Sequence, residues 1–140
     1  MNAESDDTFY GTYSFCDFTL DVTSARPFYS ALNRVVCVYI ISRSMMQRLF
    51  GKTYEGFLVG HNYPEDSSRR YVIYCRDDLA HVDRLITLGH ELVHIILEMQ
   101  GYPVAMHYPV EGYIDKIVKQ FYRRNPKFLE WVYKYNARLG

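Results

Sequence analysis

The pentapeptide His90-Glu91-Leu92-Val93-His94 is the most informative stretch of this 140-residue chain. It lies within a long apolar segment that is predicted to be a helix, where residues four apart share one face with Cβ atoms about 6 Å apart. The two imidazoles can therefore bind one metal ion, and the Glu91 side chain is long enough to reach a water on that metal. Zinc suits this set because it takes nitrogen and oxygen ligands and keeps one position open in catalytic sites.

The apolar surroundings of the pentapeptide favour this metal-binding interpretation. Large apolar side chains flank it on nearly every side of the predicted helix: Leu85, Ile86, Leu88, Leu92, Val93, Ile95, Ile96 and Leu97. A helix that is apolar all round is buried, and buried imidazoles need polar partners. The alternative is that both histidines are core residues that hydrogen-bond to the backbone and bind no metal.

A second predicted helix downstream carries two carboxylates at a matching spacing. Its apolar stripe consists of Val110, Ile114, Ile117, Val118 and Phe121. Glu111 and Asp115, four residues apart, fall together on the flank of that stripe, where the helix meets its neighbour. They are candidate partners for the histidines. The alternative is a pair of solvated acids near a helix N-terminus, where the helix dipole favours negative charge.

An HExxH motif followed on the next helix by Glu-x-x-x-Asp resembles the gluzincin zinc peptidases, typified by thermolysin. The resemblance covers roughly residues 71 to 122. It implies that His90, His94 and Glu111 bind zinc. It also implies that Glu91 is the catalytic base and that Asp115 orients His90 through a hydrogen bond.

The chain departs from the thermolysin pattern in two respects, which favour smaller members of this group of peptidases. The Asn-Glu-x-x-Ser-Asp pattern around the third ligand is absent, since Val110 replaces the Asn and Ile114 the Ser. The chain is also too short for a two-domain thermolysin. It looks more like the single-domain minigluzincins, and it resembles the small immunity-repressor-cleaving peptidases of mobile elements, whose strand and His-Glu-Leu-x-His helix are close to residues 71 to 97.

These resemblances imply an α+β fold. We expect one small zincin-like domain over residues 1–140, with a short mixed or antiparallel sheet packed on the HExxH helix and the following ligand-bearing helix. In that family an edge strand above the zinc pairs with an extended peptide or protein substrate. We assign that substrate strand to residues 71–76, with Tyr71, Ile73 and Cys75 along it.

The implied activity is peptide-bond hydrolysis by a water that zinc and Glu91 activate. Family members often stabilise the oxyanion with Tyr or His, and the candidates are Tyr108, His107 and Tyr113. We favour Tyr108, because it lies in the loop that leads into the ligand helix, and we expect Tyr113 to be a packing residue. His107 remains an alternative third ligand, and Asp83 is either a partner of His90 or a solvated acid.

The remaining segments are consistent with a small α+β protein. Residues 1–8 lack periodicity and are predicted to be mobile, and residues 9–22 can hold a short strand. We predict further strands at 34–41, 56–59 and 71–75, with a turn over residues 60–70, although a helix starting at Pro27 is an alternative for the first of these. Helices are predicted at 44–49, from an Asp77 or Asp78 cap to Gln100, and after Pro126.

Composition excludes several classes of protein. The formal net charge is zero, which argues against a nucleic-acid partner, since such proteins usually carry a basic face. No apolar run reaches the roughly 20 residues that a membrane helix needs, and the polar N-terminus does not resemble a signal peptide.

Cys16, Cys37 and Cys75 include no CxxC pair, so we expect reduced thiols and a cytoplasmic location. A thiolate from Cys16 masking the zinc is a further alternative. The sequence does not indicate an oligomeric state.

Two other function classes remain open at this stage. The chain could be a catalytically silent or latent zincin-fold protein that acts as a regulatory or interaction module, or a binding module without metal. Minigluzincins are held inactive by their own C-terminal segment, so residues 127–140 here are either a core helix or a cover for the cleft.

Overall fold

The computed structural model describes residues 11–15, 18–22, 26–63, 65, 68–103, 107 and 111–139. Its helices and strands follow the chain in this order: β1 (Gly11–Phe15), β2 (Phe18–Val22), α1 (Arg26–Leu32), β3 (Val35–Ile41), α2 (Arg43–Phe50), β4 (Gly56–Tyr63), β5 (Ser68–Arg76), α3 (His81–Met99), α4 (Glu111–Arg124), α5 (Pro126–Asn136) and β6 (Ala137–Leu139). The α+β class is confirmed. The predicted mobility of residues 1–8 concerns a segment outside the described residues.

The main sheet is mixed and has the strand order β4–β5–β3–β6. β4 and β5 form an antiparallel hairpin, whereas β5 pairs in parallel with β3, and β3 pairs in parallel with β6. β1 and β2 form a separate two-stranded antiparallel sheet. The prediction of a short mixed sheet is therefore confirmed.

The assignment of the substrate strand to residues 71–76 is wrong. This segment is part of β5, whose backbone is paired on both sides, with β4 and with β3, so it offers no free edge. Tyr71, Ile73 and Cys75 are buried in the core. Within the described part of the chain, β4 is the strand of this sheet that pairs on one side only and lies against the HExxH helix.

The predicted helices and strands are largely present, with informative differences at their ends. The hairpin ladder continues to the Tyr63–Ser68 pair, so the turn is shorter than the predicted 60–70. The helix that begins near Pro27 does form, but it ends at Leu32 and the strand follows it at Val35. The three-residue strand β6 lacks any signal in the sequence.

The predicted aspartate cap of α3 is wrong. Ala80 occupies the N-cap position and makes no side-chain cap bond. The Asp78 carboxylate instead accepts hydrogen bonds from Arg43 and Arg76, at 3.2 and 2.6 Å. The backbone N–H of Asp77 donates to the Ile41 carbonyl, at 2.8 Å, at the end of the sheet. Asp77 therefore bonds to the end of β3 and Asp78 to Arg43 and Arg76, and neither caps the helix.

Helix α3 lies at the centre of the packing and contacts α1, α4, α5, β4 and β5. Its apolar side chains form one core with alternate residues of β3 and β5. Phe28 of α1 stacks on Phe121 of α4, with ring centroids 4.1 Å apart, and Phe128 of α5 meets both rings edge-on. The three aromatic rings hold the outer helices together around α3.

The C-terminal helix α5 contributes to this core. Phe128 and Leu129 are both buried among the residues that surround α3. At its exposed side, Glu130 accepts a hydrogen bond from His81 at the start of α3, at 2.9 Å. These contacts favour the core alternative over a segment that covers the cleft.

The two described cysteines are free thiols, Cys37 partly buried and Cys75 fully buried. Burial raises the pKa of the Cys75 thiol to about 12, so it stays protonated and inert. Cys16 and its suggested masking thiolate lie outside the described residues. No helix in the described part of the chain has both the length and the apolar character to cross a membrane.

Gly89 allows α3 and α4 to approach closely, because a Cβ atom there would overlap with Val118 Cγ1. In a free helix, alanine is more favourable than glycine by about 1 kcal/mol. We expect Gly89→Ala to reverse this preference and to lower the free energy of unfolding by about 1–3 kcal/mol, because the added methyl group overpacks the helix contact. Urea denaturation, followed by circular dichroism, measures this change in the free energy of unfolding.

Gly112→Ala is the matched control for this substitution, since no described atom beyond its chain neighbours and its own helix backbone lies within 4 Å of the added Cβ. It is expected to be neutral or slightly stabilising. A Gly89→Ala protein as stable as this control would contradict the proposed close contact, whereas a Gly89→Ala, Val118→Ala double variant is expected to show strong coupling between the two sites.

Truncation after Asn125 separates the two interpretations of the C-terminal segment. It removes buried Phe128 and Leu129, and the loss of each such side chain costs about 2–5 kcal/mol, a large part of a typical total stability. We expect an unfolded product by circular dichroism. Truncation after Asn136, which removes β6 but keeps α5, is the control and is expected to stay folded. A folded truncation after Asn125 with raised peptidase activity would support latency instead.

Candidate metal centre

Helices α3 and α4 bring two imidazoles and one carboxylate together. His90 and His94 lie one turn apart on α3, with their Nε2 atoms 3.2 Å from each other. Glu111, the first residue of α4, places Oε1 2.7 Å from His90 Nε2 and Oε2 3.1 Å from His94 Nε2. The three side chains can offer one ligand atom each from atoms that all lie within 4.8 Å of one another.

These separations suit tetrahedral zinc. With ligands about 2.0–2.1 Å from the metal, neighbouring ligand atoms in a tetrahedron lie about 3.3 Å apart. The separations of 3.2 and 3.1 Å between His90, His94 and Glu111 are close to that value, and the 2.7 Å separation needs only a small adjustment. Two imidazole nitrogens with a carboxylate oxygen are also a donor set that zinc prefers, and it leaves a fourth position for water.

Asp115 lies on the far side of His90 from these ligand atoms. Its Oδ1 is 2.8 Å from His90 Nδ1, one helical turn along α4 from Glu111. The Nδ1–H group of His90 therefore donates to a carboxylate, which fixes the ring orientation and directs Nε2 towards His94 and Glu111. The structure thus brings together all four side chains that the two spacings selected.

The carboxylates make this a site that stabilises positive charge. Burial opposes a charge on His90, but its hydrogen bonds to Asp115 and Glu111 prevail and raise its pKa to about 10. The same contacts keep the pKa of both carboxyl groups below the usual values. A negative potential that holds a proton on a largely buried imidazole also favours a bound metal cation.

Glu91 is buried beside the ligands, with 7% of its surface exposed. Burial raises the pKa of its carboxyl group, and the neighbouring His90 and His94 oppose that shift. Its carboxylate faces the start of β4, because a Cβ atom added to Gly56 would lie 3.2 Å from Glu91 Oε2 and would overlap with Thr87. The strand thus approaches α3 closely beside the proposed base, and glycine at this position makes that possible.

His107 lies behind His94, away from the ligand atoms. Its Nδ1 is 2.8 Å from His94 Nδ1, and its Nε2 is 2.7 Å from the Tyr102 carbonyl oxygen. Burial keeps the pKa of His107 below its usual value, so its neutral form is favoured. The alternative that His107 replaces Glu111 as third ligand does not match this geometry. His107 contacts Nδ1 of His94, whereas Nε2 is the nitrogen that faces His90 and Glu111.

A cleft runs along α3 between β4 and α4, with His90 and Glu91 near its middle. On one side of His90 and Glu91 it is lined by polar residues: Glu55, Asp83, Thr87, Asp115 and Lys119. On the other side it is more apolar, with Tyr54, Phe57 and Leu58 beside His94 and Glu111. None of the described α5 residues lines either part.

The outcome differs among the other predicted site residues. Tyr108 lies outside the described residues, so its suggested role at the oxyanion stays a prediction. Tyr113 is 53% exposed instead of packed in the core and is not among the described residues that line the cleft. Asp83 is exposed and lines the polar part of the cleft, and His90 takes Asp115 as its partner instead.

Sequence reasoning missed the contribution of β4 and the position of His107. Tyr54, Gly56 and Leu58 line the cleft. An isolated glycine at the start of a predicted strand is a signal of close backbone approach and could have pointed to this strand. The contact between His107 and His94 has no such signal, because His107 lies outside the helices and strands.

Asp115→Ala tests whether this carboxylate supports the metal through His90. We expect zinc affinity to fall by about 10- to 100-fold, because His90 loses the acceptor that orients its ring. Competition with a chromophoric chelator measures the affinity. Asp83→Ala is the matched control, since Asp83 lines the same cleft, and it is expected to bind zinc as the unaltered protein does. Equal affinities for all three proteins would exclude the supporting role.

Comparisons with known proteins do not identify a family. No protein-family model, curated protein or solved structure matches this chain. Any conclusion about function therefore depends on the chemistry of the side chains at this site.

Proposed function

We propose that this protein is a zinc-dependent metallopeptidase with a small zincin-like fold. One observation carries the proposal: the Nε2 atoms of His90 and His94 and the carboxylate of Glu111 converge directly beside a buried Glu91. A structural metal site is usually closed by four protein ligands, whereas three ligands with an adjacent base are typical of a hydrolytic site. The finer fold assignment is supported by the order of the chain, in which strands precede the HExxH helix and the Glu111 helix follows it.

His90, His94 and Glu111 would hold the metal, and Asp115 would keep His90 oriented. When bound, zinc supplies a Lewis acid that lowers the pKa of its water and polarises the scissile carbonyl. Glu91 accepts a proton from the attacking water and returns it to the nitrogen of the leaving amine. Burial raises the pKa of this carboxyl group, which makes it a stronger base for accepting that proton.

The substrate we propose is a peptide or protein segment in an extended conformation, bound along β4. This strand has one side unpaired within the described part of the sheet, and its residues Gly56 and Leu58 line the cleft beside the ligands. Main-chain hydrogen bonds to such an edge give affinity without demanding a particular sequence, and side chains on alternate positions fit the cleft. This role replaces the one predicted for β5.

Glu91→Gln tests the proposed chemistry. The variant is expected to keep one zinc ion per chain, because Glu91 is not a ligand, and to lose about 10²- to 10⁴-fold in hydrolysis rate. Metal analysis measures the zinc content. Mass spectrometry of a proteome-derived peptide library, incubated with the zinc-loaded protein, measures the rate of hydrolysis. Glu55→Gln is the matched control, because Glu55 lines the same cleft, and it is expected to retain hydrolysis.

The outcomes separate the candidate functions. Hydrolysis at the unaltered rate in Glu91→Gln would exclude Glu91 as the base. One zinc per chain without any cleavage by the unaltered protein would indicate the catalytically silent alternative. A chain that binds no zinc would contradict the whole proposal.

A further inference from the structure

His107 makes a buried hydrogen bond to the nitrogen of His94 that faces away from the other ligands. The two Nδ1 atoms are 2.8 Å apart, and the two rings are nearly parallel, with an interplanar angle of 15°. His107 is only 2% exposed, although it lies in the loop between α3 and α4. A buried polar side chain in this position must satisfy its hydrogen-bonding groups within the protein.

The direction of this hydrogen bond follows from the other side of the His107 ring. His107 Nε2 lies 2.7 Å from the Tyr102 carbonyl oxygen, which can only accept, so Nε2 carries the hydrogen. Burial of this side chain, which is 2% exposed, disfavours a charged ring. The Nδ1 of His107 then has a lone pair, and His94 Nδ1–H donates to it.

This direction determines which nitrogen of His94 can bind a metal. With the hydrogen on Nδ1, the lone pair of a neutral His94 is on Nε2, which faces His90 Nε2 and Glu111 Oε2 at 3.2 and 3.1 Å. Two acceptors, His94 Nε2 and the Glu111 carboxylate, then face each other. A cation shared between them turns that repulsion into attraction.

We propose that His107 is a positioning residue, which fixes the tautomer and ring orientation of His94 through a chain that runs from the Tyr102 carbonyl to His107 and on to His94. The inference deepens the proposed function and rests on the metal site described for it. The two histidine ligands are then held by different kinds of partner, an exposed carboxylate for His90 and a buried neutral imidazole for His94.

Tyr102, whose carbonyl begins this series of hydrogen bonds, is itself held at the end of α3. Gly101 has a φ of 94°, in the left-handed region that favours glycine, and it turns the chain directly after the helix. The Tyr102 backbone N–H donates to the Leu97 carbonyl at 3.0 Å. The Tyr102 backbone is therefore held at the end of the same helix that carries His94, and its carbonyl accepts from His107.

A neutral partner also suits the charge of the site. Glu91, Glu111 and Asp115 already place three carboxylates around the two histidines. A further carboxylate behind His94 would add a buried negative charge, which is costly without a compensating cation. An imidazole orients the ring without adding that charge.

Three substitutions of His107 separate positioning of His94 from simple support of the loop. In His107→Asn, the amide oxygen can take the place of Nδ1 and accept from His94, but the donor to Tyr102 is lost. In His107→Gln, the amide NH₂ group can take the place of Nε2 and donate to Tyr102, but the acceptor for His94 is lost. His107→Ala removes both groups.

Zinc affinity of the four proteins, measured by chelator competition, decides between these roles. We expect losses of about 10- to 100-fold for His107→Ala and His107→Gln, and retention of most of the affinity by His107→Asn. The reverse order, with Gln close to the unaltered protein and Asn as weak as Ala, would show that the loop contact matters and would overturn the inference. Equal affinities would overturn it as well, with the metal site itself intact.

A second measurement does not depend on zinc or on how well a variant folds. Two-bond ¹⁵N–¹H correlation spectra of the chelated, unaltered protein at mildly alkaline pH report the tautomer of each histidine. We expect His94 with its hydrogen on Nδ1 and His107 with its hydrogen on Nε2. A His94 that carries its hydrogen on Nε2 would contradict the inference. If the unaltered protein binds no zinc, the proposed function fails, yet this spectrum still tests the role of His107.

Discussion

The close contact between α3 and α4 is the constraint on which the site depends. Gly89 precedes His90 on α3, and Val118 lies one turn beyond Asp115 on α4. Because Gly89 has no Cβ, the Val118 side chain packs directly against the backbone of α3. The N-terminal part of α4 therefore comes within hydrogen-bonding distance of the histidines. The apolar stripe of α4, with Ile114, Ile117 and Phe121 buried, holds that register. A wider spacing would leave Glu111 and Asp115 as two solvated acids.

The site also depends on the contrast between buried and exposed surroundings. The face of α3 that carries His90 and His94 belongs to a helix whose other sides are packed in the core, so charges near it are poorly solvated and interact strongly. Glu91 is buried, whereas Glu111 and Asp115 are half exposed at the rim of the cleft. The acids at the rim are in contact with water, whereas burial raises the pKa of the Glu91 carboxyl group.

Much of this arrangement follows from local periodicity, and the sequence could therefore predict it. The i, i+4 spacing of His90 and His94 and that of Glu111 and Asp115 require only that each segment be helical. The β-branched residues of β3 likewise predict a buried strand from local sequence alone. Capping was less predictable, because the Arg43 and Arg76 guanidiniums take the Asp78 carboxylate away from the helix.

The features that the sequence could not predict depend on contacts between distant segments. A local pattern indicates a strand but not which strands are its neighbours, so the resemblance predicts an edge at β5, whereas β3 and β4 pair with it on both sides. β6 joins the sheet from the far end of the chain. His107 lies outside the helices and strands, so no periodicity in the sequence predicts its contact with His94.

X-ray absorption spectroscopy of the zinc-loaded protein tests the central claim most directly, because it reports the atoms bound to the metal without any assay of activity. The account predicts a four-coordinate zinc with two imidazole nitrogens and two oxygens, one from a carboxylate and one from water, at about 2.0–2.2 Å. A sulfur ligand at about 2.3 Å, or a third imidazole, would contradict the assignment of His90, His94 and Glu111 as the protein ligands.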